Sequence, residues 1–305
     1  MSSKIYRLTV DAQASGLRID QYVAGQVGAL SRGIVRKIID LGGVHVAGRR
    51  IGRCSQTVQT GQSVEVYLDG RPLEIFSLCT EDILFQDDYL LVIDKSPGVD
   101  FQPTHARFKG TLYDAARRHM ESAKGRKGNT SLGMVQRLDR DTSGVTVFSI
   151  HQRAHSAMTR MFADRRVDKR YRTLVAGRPL DKEGEFRSLL ARQHRTNLMK
   201  SVQKGGKEAI TRYRVLEEFT DCALVEVELV TGRSHQIRAH FSEAGHPLLG
   251  DTRYGGPSSI SGREIGRTML HAFRLSFEHP VSRQPLMFEA SPPEDMAGIL
   301  AHLAT

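Results

Sequence analysis

The 305-residue chain has no tryptophan, and aromatic residues make up only 7% of it. Its core must be built mainly from aliphatic side chains, which the 39% hydrophobic content can supply. Cysteine is scarce too: Cys54, Cys79 and Cys222 are scattered, odd in number and never spaced as CxxC. That argues against a disulfide framework and a zinc ribbon. No run approaches the roughly eighteen apolar residues of a membrane span. The opening MSSKIYRL has no apolar stretch behind its charges, so no secretory signal is read and a reducing, cytoplasmic setting is expected. Cofactor signatures are also missing. There is no GxGxxG after a strand and no GxxxxGK[ST], so a nucleotide cofactor would lack its glycine cradle. Neither a GxSxG elbow nor the HxE…PCxxC pattern of zinc base deaminases is present. His235 and His240 are five apart, about 140° around a helix, and do not share a face as the histidines of HExxH do. His246 and Asp251 follow a Gly-containing turn, but no metal site is expected.

What the chain has in excess is positive charge. Lys+Arg number 44 against 34 Asp+Glu, a formal net of +10. A balance of this size favours a polyanionic partner, nucleic acid before membrane. Residues 1–70 hold nine Lys/Arg and five Asp/Glu. In them Ser31 offers an N-cap to "RGIVRKIIDL", whose Ile34, Val35, Ile38 and Ile39 form one apolar face, and Gly42-Gly43 ends the helix. Leu17, Ile19, Tyr22 and Val23 precede it at mixed helical spacing. Arg32, Arg36 and Lys37 lie on the polar face of the Ser31-capped helix. The pattern changes near Arg71-Pro72, so a linker is expected there, between a module over 1–70 and a larger domain over 71–305. In the larger part, "DILFQDDYLLVIDKSPG" reads as two strands hinged at Asp87-Asp88, a helix is expected around 111–120, and a Gly/Lys-rich loop, "AKGRKGNTS", follows. "AITRYRVLEEFTDCALVEVELVTG" reads as a hairpin turning at Thr220-Asp221. Hairpins outnumber βαβ units, so an α+β fold with a mixed, mainly antiparallel sheet is expected. Two stretches concentrate cations: 151–172 with seven Lys/Arg against two Asp, and 187–207 with six and no acid. The second reads as a long polar connection between strands. Together they suggest a surface that tracks a nucleic-acid backbone.

Chemistry concentrates at two places. "VQRLDRDTSGVTVFSI" crowds Arg137, Asp139, Arg140 and Asp141 in front of an apolar strand. "TGRSHQIRAHFSEAGHPLLGDTRYG" carries a short helix, Ser234 to Ala244, whose Ile237 and Phe241 point at the core. His235 and Arg238 share another face, and Arg238 is placed to pair with Asp139. On residue types alone that pair reads first as a structural bridge, since ion pairs are common, and only second as part of a site.

These segments resemble a known family. "RLDRDTSG" is similar to the RLDxxTSG signature of the RluA family of pseudouridine synthases, "KRYRTLVAG" to its KxYxALV strand, "TGRSHQIRAHFSEAGHPLLGDTRYG" to its GRTHQIRVHL…GHPIxGDxxYG block, and "LHAFRLSFEHP" to its LHAxxLxFxHP segment. Residues 17–68 separately resemble an S4-like RNA-binding module. The order of four blocks is more specific than any one of them. The chain departs from the family pattern at Gln136 in place of His, at Ser96 and Phe101-Gln102 in "DKSPGVDFQP", and at Gly61-Gln62 where Gly-Asp is usual.

The resemblance implies an isomerase that turns uridine into pseudouridine in structured RNA without a cofactor. Large-subunit ribosomal RNA is the favoured partner and transfer RNA the alternative. It makes Asp139 the carboxylate that attacks the ribose or removes its 2′ proton, Arg238 its orienting partner, and Tyr171 the ring that stacks on uracil and could take the C5 proton. Arg137 is implied to sit beside the flipped nucleotide. Lys169, Arg233 and His235 are implied to contact substrate, and Arg32, Arg36 and Lys37 to contact RNA through the first module. A monomer without membrane association is expected. The competing readings are a non-catalytic ribosome-assembly factor, which predicts binding without turnover, and an RNA methyltransferase, whose glycine-rich cofactor loop is absent.

Overall fold

The computed structural model describes residues 3–123 and 132–304. The Gly/Lys-rich stretch over 124–131 lies outside the described residues. The chain divides into two compact units, one reaching to Leu78 and resuming at Val99, the other made of Cys79–Gly98 and the residues that follow α3 below.

The first unit contains strands β1 (Ser3–Thr9), β2 (Val44–Val46), β3 (Arg49–Arg50) and β4 (Ser63–Asp69), with helices α1 (Ile19–Gln26), α2 (Arg32–Leu41) and α3 (Leu112–Ala123). Its antiparallel sheet runs β1-β4-β2-β3. Val64, Val66 and Leu68 alternate inward on β4 and meet Val35, Ile38 and Ile39 of α2. Both ends of α2 follow from local chemistry. Ser31 Oγ accepts from the Ile34 N–H at 3.3 Å, and Gly42 takes the left-handed conformation, φ 92°. The β2–β3 turn puts Ala47 and Gly48 at φ 48° and 74°, the pair of positive values that a two-residue hairpin requires. Leu17, read at mixed helical spacing with Ile19, Tyr22 and Val23, is exposed and precedes α1.

The stretch near Arg71-Pro72 that reads as a linker is held inside this unit. Buried Arg107 donates to Asp69 at 3.0 Å and to the carbonyls of Pro72 and Glu74 at 2.8 and 2.9 Å. Asp20 is another hub. Its side chain is fully buried and accepts from Arg18, Arg32 and Arg36 at 3.2, 2.9 and 2.8 Å. Burial alone would raise its carboxyl, but the three guanidinium groups hold it well below the usual carboxylate range.

The second unit is built on one mixed sheet. Its strands are β5 (Ile83–Gln86), β6 (Leu90–Lys95), β7 (Gly133–Met134), β8 (Ser143–Ser149), β9 (Asp168–Ala176), β10 (Glu183–Arg192), β11 (Met199–Val202), β12 (Lys207–Glu218), β13 (Cys222–Leu229), β16 (Leu270–Glu278) and β17 (Pro285–Glu289); β14 (Ser259–Ile260) and β15 (Arg263–Glu264) pair separately. The main order is β11-β10-β12-β13-β9-β16-β8-β6-β5, with β17 on β16 and β7 on β8. Every pairing in the main sheet is antiparallel except β16 with β8, so the expected mainly antiparallel α+β sheet is present. Helix α4 (Gln152–Ala163) lays Ala154, Met158 and Met161 against Val145 and Val147 of β8. Helix α6 (Glu294–Leu303) packs Met296 and Ile299 near Leu174 and Met269. The β12–β13 hairpin turns at Thr220-Asp221 as expected.

One expectation from the charge pattern is corrected. The stretch 187–207 is not one long connection but the β10–β11 hairpin. Among the described residues Arg187 is the one cation of that stretch paired with an acid, and in 151–172 three arginines, Arg165, Arg166 and Arg170, are paired. Arg187 and Arg165 pair with Glu208, and Arg170 pairs with Asp168 and Glu228. Sequence counting saw the arginines together but could not see the acids that the sheet register sets beside them.

The parallel contact matters for the site. Ser143 and Gly144 of β8 lie opposite His271 and Ala272 of β16. Gly144 has φ +106°, and a Cβ there would fall 2.2 Å from the Ala272 carbonyl oxygen. Only glycine lets the two strands approach this closely. The β16 register shifts between His271 and Arg274, opposite Tyr171 of β9, so the bulge lies next to that ring.

Candidate active site

Asp139 lies in the loop before β8. Its carbonyl accepts from the Thr142 N–H at 3.1 Å, closing a tight turn. The turn is gripped through its main chain. Lys95, fully buried at the end of β6, donates to the carbonyls of Arg140, Thr142 and Ser96 at 2.7, 2.8 and 3.0 Å. The Gly98 N–H adds a bond to Arg140 O at 3.0 Å. Arg267 donates to Asp141 O at 2.9 Å and is itself held by both oxygens of Asp295, at 2.5 and 2.9 Å. A rigid backbone therefore presents a carboxylate whose side chain is 32% exposed.

Arg238 reaches that carboxylate from helix α5 (Gln236–Glu243). Its Nη1 donates to Asp139 Oδ2 at 2.9 Å. Its Nε and Nη2 donate to the two oxygens of Asp251 at 2.6 and 2.8 Å. Asp251 is 1% exposed and fixes the plane of the guanidinium, leaving Nη1 directed at Asp139. Burial works against the charge on Arg238, but the bonds and charge of Asp251, with Asp139 behind them, raise its pKa above the ordinary value. Among the described residues nothing donates to Asp139 Oδ1. One oxygen is thus pinned and the other is left for a substrate.

His235 precedes α5 in the left-handed conformation, φ 49°. The helix therefore begins two residues later than the Ser234 start expected from sequence. Its Nε2 lies 3.8 Å from Asp139 Oδ2, and its Nδ1 lies 3.0 Å from the Tyr254 hydroxyl. That hydroxyl accepts from the Met199 N–H at 2.9 Å. We assign its own proton to His235 Nδ1, which puts the imidazole proton on Nε2, facing Asp139. Burial lowers the His235 pKa, with Asp139 opposing and Arg238 adding to the shift, so the ring is neutral at neutral pH. The loop leading into α5 is fixed by the buried amide of Gln236. Its oxygen accepts from Thr231 Oγ1 at 2.7 Å and from the Arg233 N–H at 3.0 Å, and its nitrogen donates to Ile210 O and Thr211 Oγ1, both at 2.9 Å.

Tyr171 on β9 is buried opposite Val227 and borders the same pocket. Burial first, and the charge of Asp139 second, push its phenol pKa up. A phenolate there is harder to form than in water, while the ring face is unaffected. Asp139, Arg238, Tyr171, His235, Arg137 and Arg233 line one pocket. Lys169 lines an adjoining cleft that shares Arg137, Tyr171, Leu229 and Arg233 with it. Arg32, Arg36 and Lys37 are exposed on α2 of the first unit and are not among the lining residues.

Sequence reasoning missed Asp251 as the support of Arg238, Tyr254 as the partner of His235, and Lys95 and Arg267 as clamps. Asp251 and Tyr254 both stand in the "GDTRYG" segment, where an acid after a glycine turn was the only signal. Asp251, weighed as a metal ligand, is instead saturated by Arg238, and His246 Nδ1 lies 3.0 Å from the Ala176 carbonyl.

Chemically, the pocket offers a carboxylate with one open oxygen, a buried cation that orients it, a neutral imidazole N–H and an aromatic face. That set suits reaction at a sugar's anomeric centre, where a carboxylate meets an oxocarbenium-like state.

Residues 89–243 match the family described as RNA pseudouridylate synthase. The chain is 37% identical over 304 residues to ribosomal large subunit pseudouridine synthase D of Nitrosomonas europaea, covering 96% of this chain and 86% of that protein. It is 31% identical over 298 residues to the RNA pseudouridine synthase YlyB of Bacillus subtilis, covering 97% of each. The solved structure of human RNA pseudouridylate synthase domain containing 4 aligns with a TM-score of 0.62 at 25% identity, covering 74% of this chain and 94% of that one.

Proposed function

This chain belongs to the RNA pseudouridylate synthase family, and on that premise we propose that it isomerises uridines of large-subunit ribosomal RNA, with Asp139 as the catalytic carboxylate. The family makes it an isomerase acting on RNA uridines. Relatives named as ribosomal large subunit synthases, from Nitrosomonas europaea and Zymomonas mobilis, support the ribosomal target over transfer RNA.

The reaction breaks the bond from ribose C1′ to uracil N1 and joins C1′ to C5. The C5 proton is lost and N1 gains one, so the base is neither oxidised nor reduced. In our reading Asp139 acts through Oδ1, either attacking C1′ or removing the 2′ proton. Arg238 keeps Oδ2 occupied and thereby selects which oxygen reacts. Tyr171 lies against the uracil face as it turns, and its raised pKa favours this stacking role over that of proton acceptor. The neutral His235 N–H and Arg233 border the pocket as donors for uracil oxygens, and Arg137 fills the space of the flipped nucleotide. The first unit docks RNA as an S4-like module through Arg32, Arg36 and Lys37, with the Arg32 and Arg36 guanidinium groups held in place by Asp20. Flipping a base costs a few kcal/mol, which phosphate contacts of this kind can offset.

The observation that carries this reading is the half-open Asp139 carboxylate, pinned by Arg238 through one oxygen in a pocket bordered by Tyr171. The test is tritium release from C5-labelled uridine in ribosomal and transfer RNA, using purified protein and Asp139→Ala beside it. Release by the wild type alone is expected. Turnover by the variant at the wild-type rate would remove Asp139 from its role, and binding by both proteins without release would favour an assembly factor.

A further inference from the structure

The resemblance implies only that Lys169 contacts substrate, and no step above assigns it a group to bind, yet its environment is unusual. It stands two residues before Tyr171 on β9, so the two side chains leave the same face of the sheet. It is 8% exposed, and among the described residues no carbonyl or carboxylate accepts from its ammonium. The ammonium lies against the loop that enters α5, 3.7 Å from where a Cβ on Gly232 would stand. Its charged neighbours are Arg165, Arg233 and, opposing them, Asp168. Arg165 is neutralised by Glu208 at 2.7 Å, and Arg233 donates through Nε to the Glu208 carbonyl at 2.9 Å. Glu208 thus serves the two arginines, and Asp168, whose charge Lys169 feels, is bonded to Arg170 at 2.8 Å, so among the described residues no acid pairs directly with Lys169. Burial, with Arg165 and Arg233 adding to it, lowers the lysine pKa to about 8.

A buried, unpaired ammonium among guanidinium groups destabilises a fold, and the usual outcome is a partner or a neutral residue. The opening in front of Lys169 supplies the missing element. It is a cleft of about 350 Å³, with Val135, Phe162 and Leu229 as apolar wall and Arg137, Arg165 and Arg233 at its margin. It joins the catalytic pocket through Arg137, Tyr171, Leu229 and Arg233. An apolar wall with a cationic end, next to a site that handles one nucleotide, matches a second nucleotide: base against the wall, phosphate on the lysine.

We propose that this cleft is the subsite for the nucleotide adjoining the isomerised uridine, and that Lys169 binds its phosphate. The proposal rests on the isomerase reading for the neighbour it names. The phosphate contact itself can be measured without turnover.

The experiment uses full-length Asp139→Asn protein, to prevent turnover, with and without Lys169→Met or Lys169→Arg. Binding to a transcript of large-subunit ribosomal RNA is measured across a salt series. Losing one phosphate contact on a single strand lowers the slope of log K against log salt by about 0.7. We expect that reduction, with an affinity loss of about fivefold near 0.1 M salt, for Lys169→Met, and a slope close to that of the lysine protein for Lys169→Arg. Melting provides the folding control: Lys169→Met should melt at or above the temperature of the lysine protein, because it removes a buried charge with no directly paired acid. An unchanged slope in Lys169→Met, or a lower melting temperature accompanying its weaker binding, would overturn the phosphate assignment. Wild-type protein is assayed for tritium release in parallel. Reduced slope without release keeps the phosphate site and rejects the isomerase, whereas release with unchanged slope does the reverse.

Discussion

Replacing Asp251 with asparagine separates the two tasks of the Asp139–Arg238–Asp251 chain. Asp251 gives both oxygens to Arg238, at 2.6 and 2.8 Å, and is 1% exposed. Asparagine keeps one acceptor and turns an amide N–H₂ toward guanidinium donors. Arg238, itself only 8% exposed, then has Asp139 as its remaining countercharge. Removing one partner of a buried pair costs about 3–5 kcal/mol. For a unit of this size that is a fall in Tm of about 10–15 °C. Freed from Asp251, the guanidinium can turn and carry Asp139 with it, and a displacement of about 1 Å at a reacting group costs about 100-fold in kcat. Asp139→Asn behaves in the opposite way. Its side chain is 32% exposed and shares a single bond with Arg238, so the stability loss is about 1 kcal/mol, a few degrees, while turnover vanishes. The two variants should therefore cross: Asp251→Asn less stable but residually active, Asp139→Asn stable but dead. Calorimetric melting and single-turnover tritium release read the two axes. If Asp251→Asn melted with the wild type, or if Asp139→Asn were the less stable of the pair, the division of labour between the two carboxylates would be wrong.

Two further tests probe the scaffold. Asp20→Asn should lower the stability of the first unit by about 2 kcal/mol, discounted for the partly exposed arginines it holds. Because the folded Asp20 pKa is depressed, its contribution is complete above the ordinary carboxyl value of 3.8 and is lost as pH falls through the folded pKa. The urea midpoints of wild type and variant should stay a constant distance apart from pH 5 to 8 and converge in more acidic solution; a gap that persisted or widened there would exclude the hub. Gly144→Ala sets a Cβ 2.2 Å from Ala272 O at φ +106°, so it should cost about 3 kcal/mol or more and reduce turnover as the β8–β16 contact opens. A urea midpoint within error of wild type would mean the strands are less tightly opposed than described.

Much of the scaffold could be read from local chemistry. Ser31 and Gly42 bound α2, Thr220-Asp221 turn a hairpin, and Ile237 and Phe241 face the core, because caps, turns and periodicity act over a few residues. Asp139, Arg238 and Tyr171 were legible through block resemblance, and the 2.9 Å Asp139–Arg238 bond is a contact that spacing suggested but could not establish. Asp251 was not legible as a support. It meets Arg238 only because the chain after α5 folds back through a glycine turn, and no periodicity encodes that return. The strained His235 was invisible for a related reason: a left-handed histidine is held by the Tyr254 hydroxyl, not by its own sequence neighbours. Which arginines of 151–172 and 187–207 find acids was illegible for the same reason, since strand register decides it. The stretch around Arg71-Pro72 had the composition of a linker but is fastened by Arg107, which follows it by more than thirty residues.

The grip of Lys95 and Arg267 on the Asp139 turn is made entirely through carbonyl oxygens. A clamp of this kind is indifferent to the side chains that the turn displays. Substitutions at Arg140 and Asp141, which pair with each other at 2.9 Å, leave these carbonyl bonds in place, and only the charge of Asp141, felt by Lys95 and Arg238, ties the surface of the turn to its grip. The turn thus combines an invariant position with a replaceable surface. A protein that must meet differently folded RNAs could change its fit at 140 and 141 while its chemistry stayed in place.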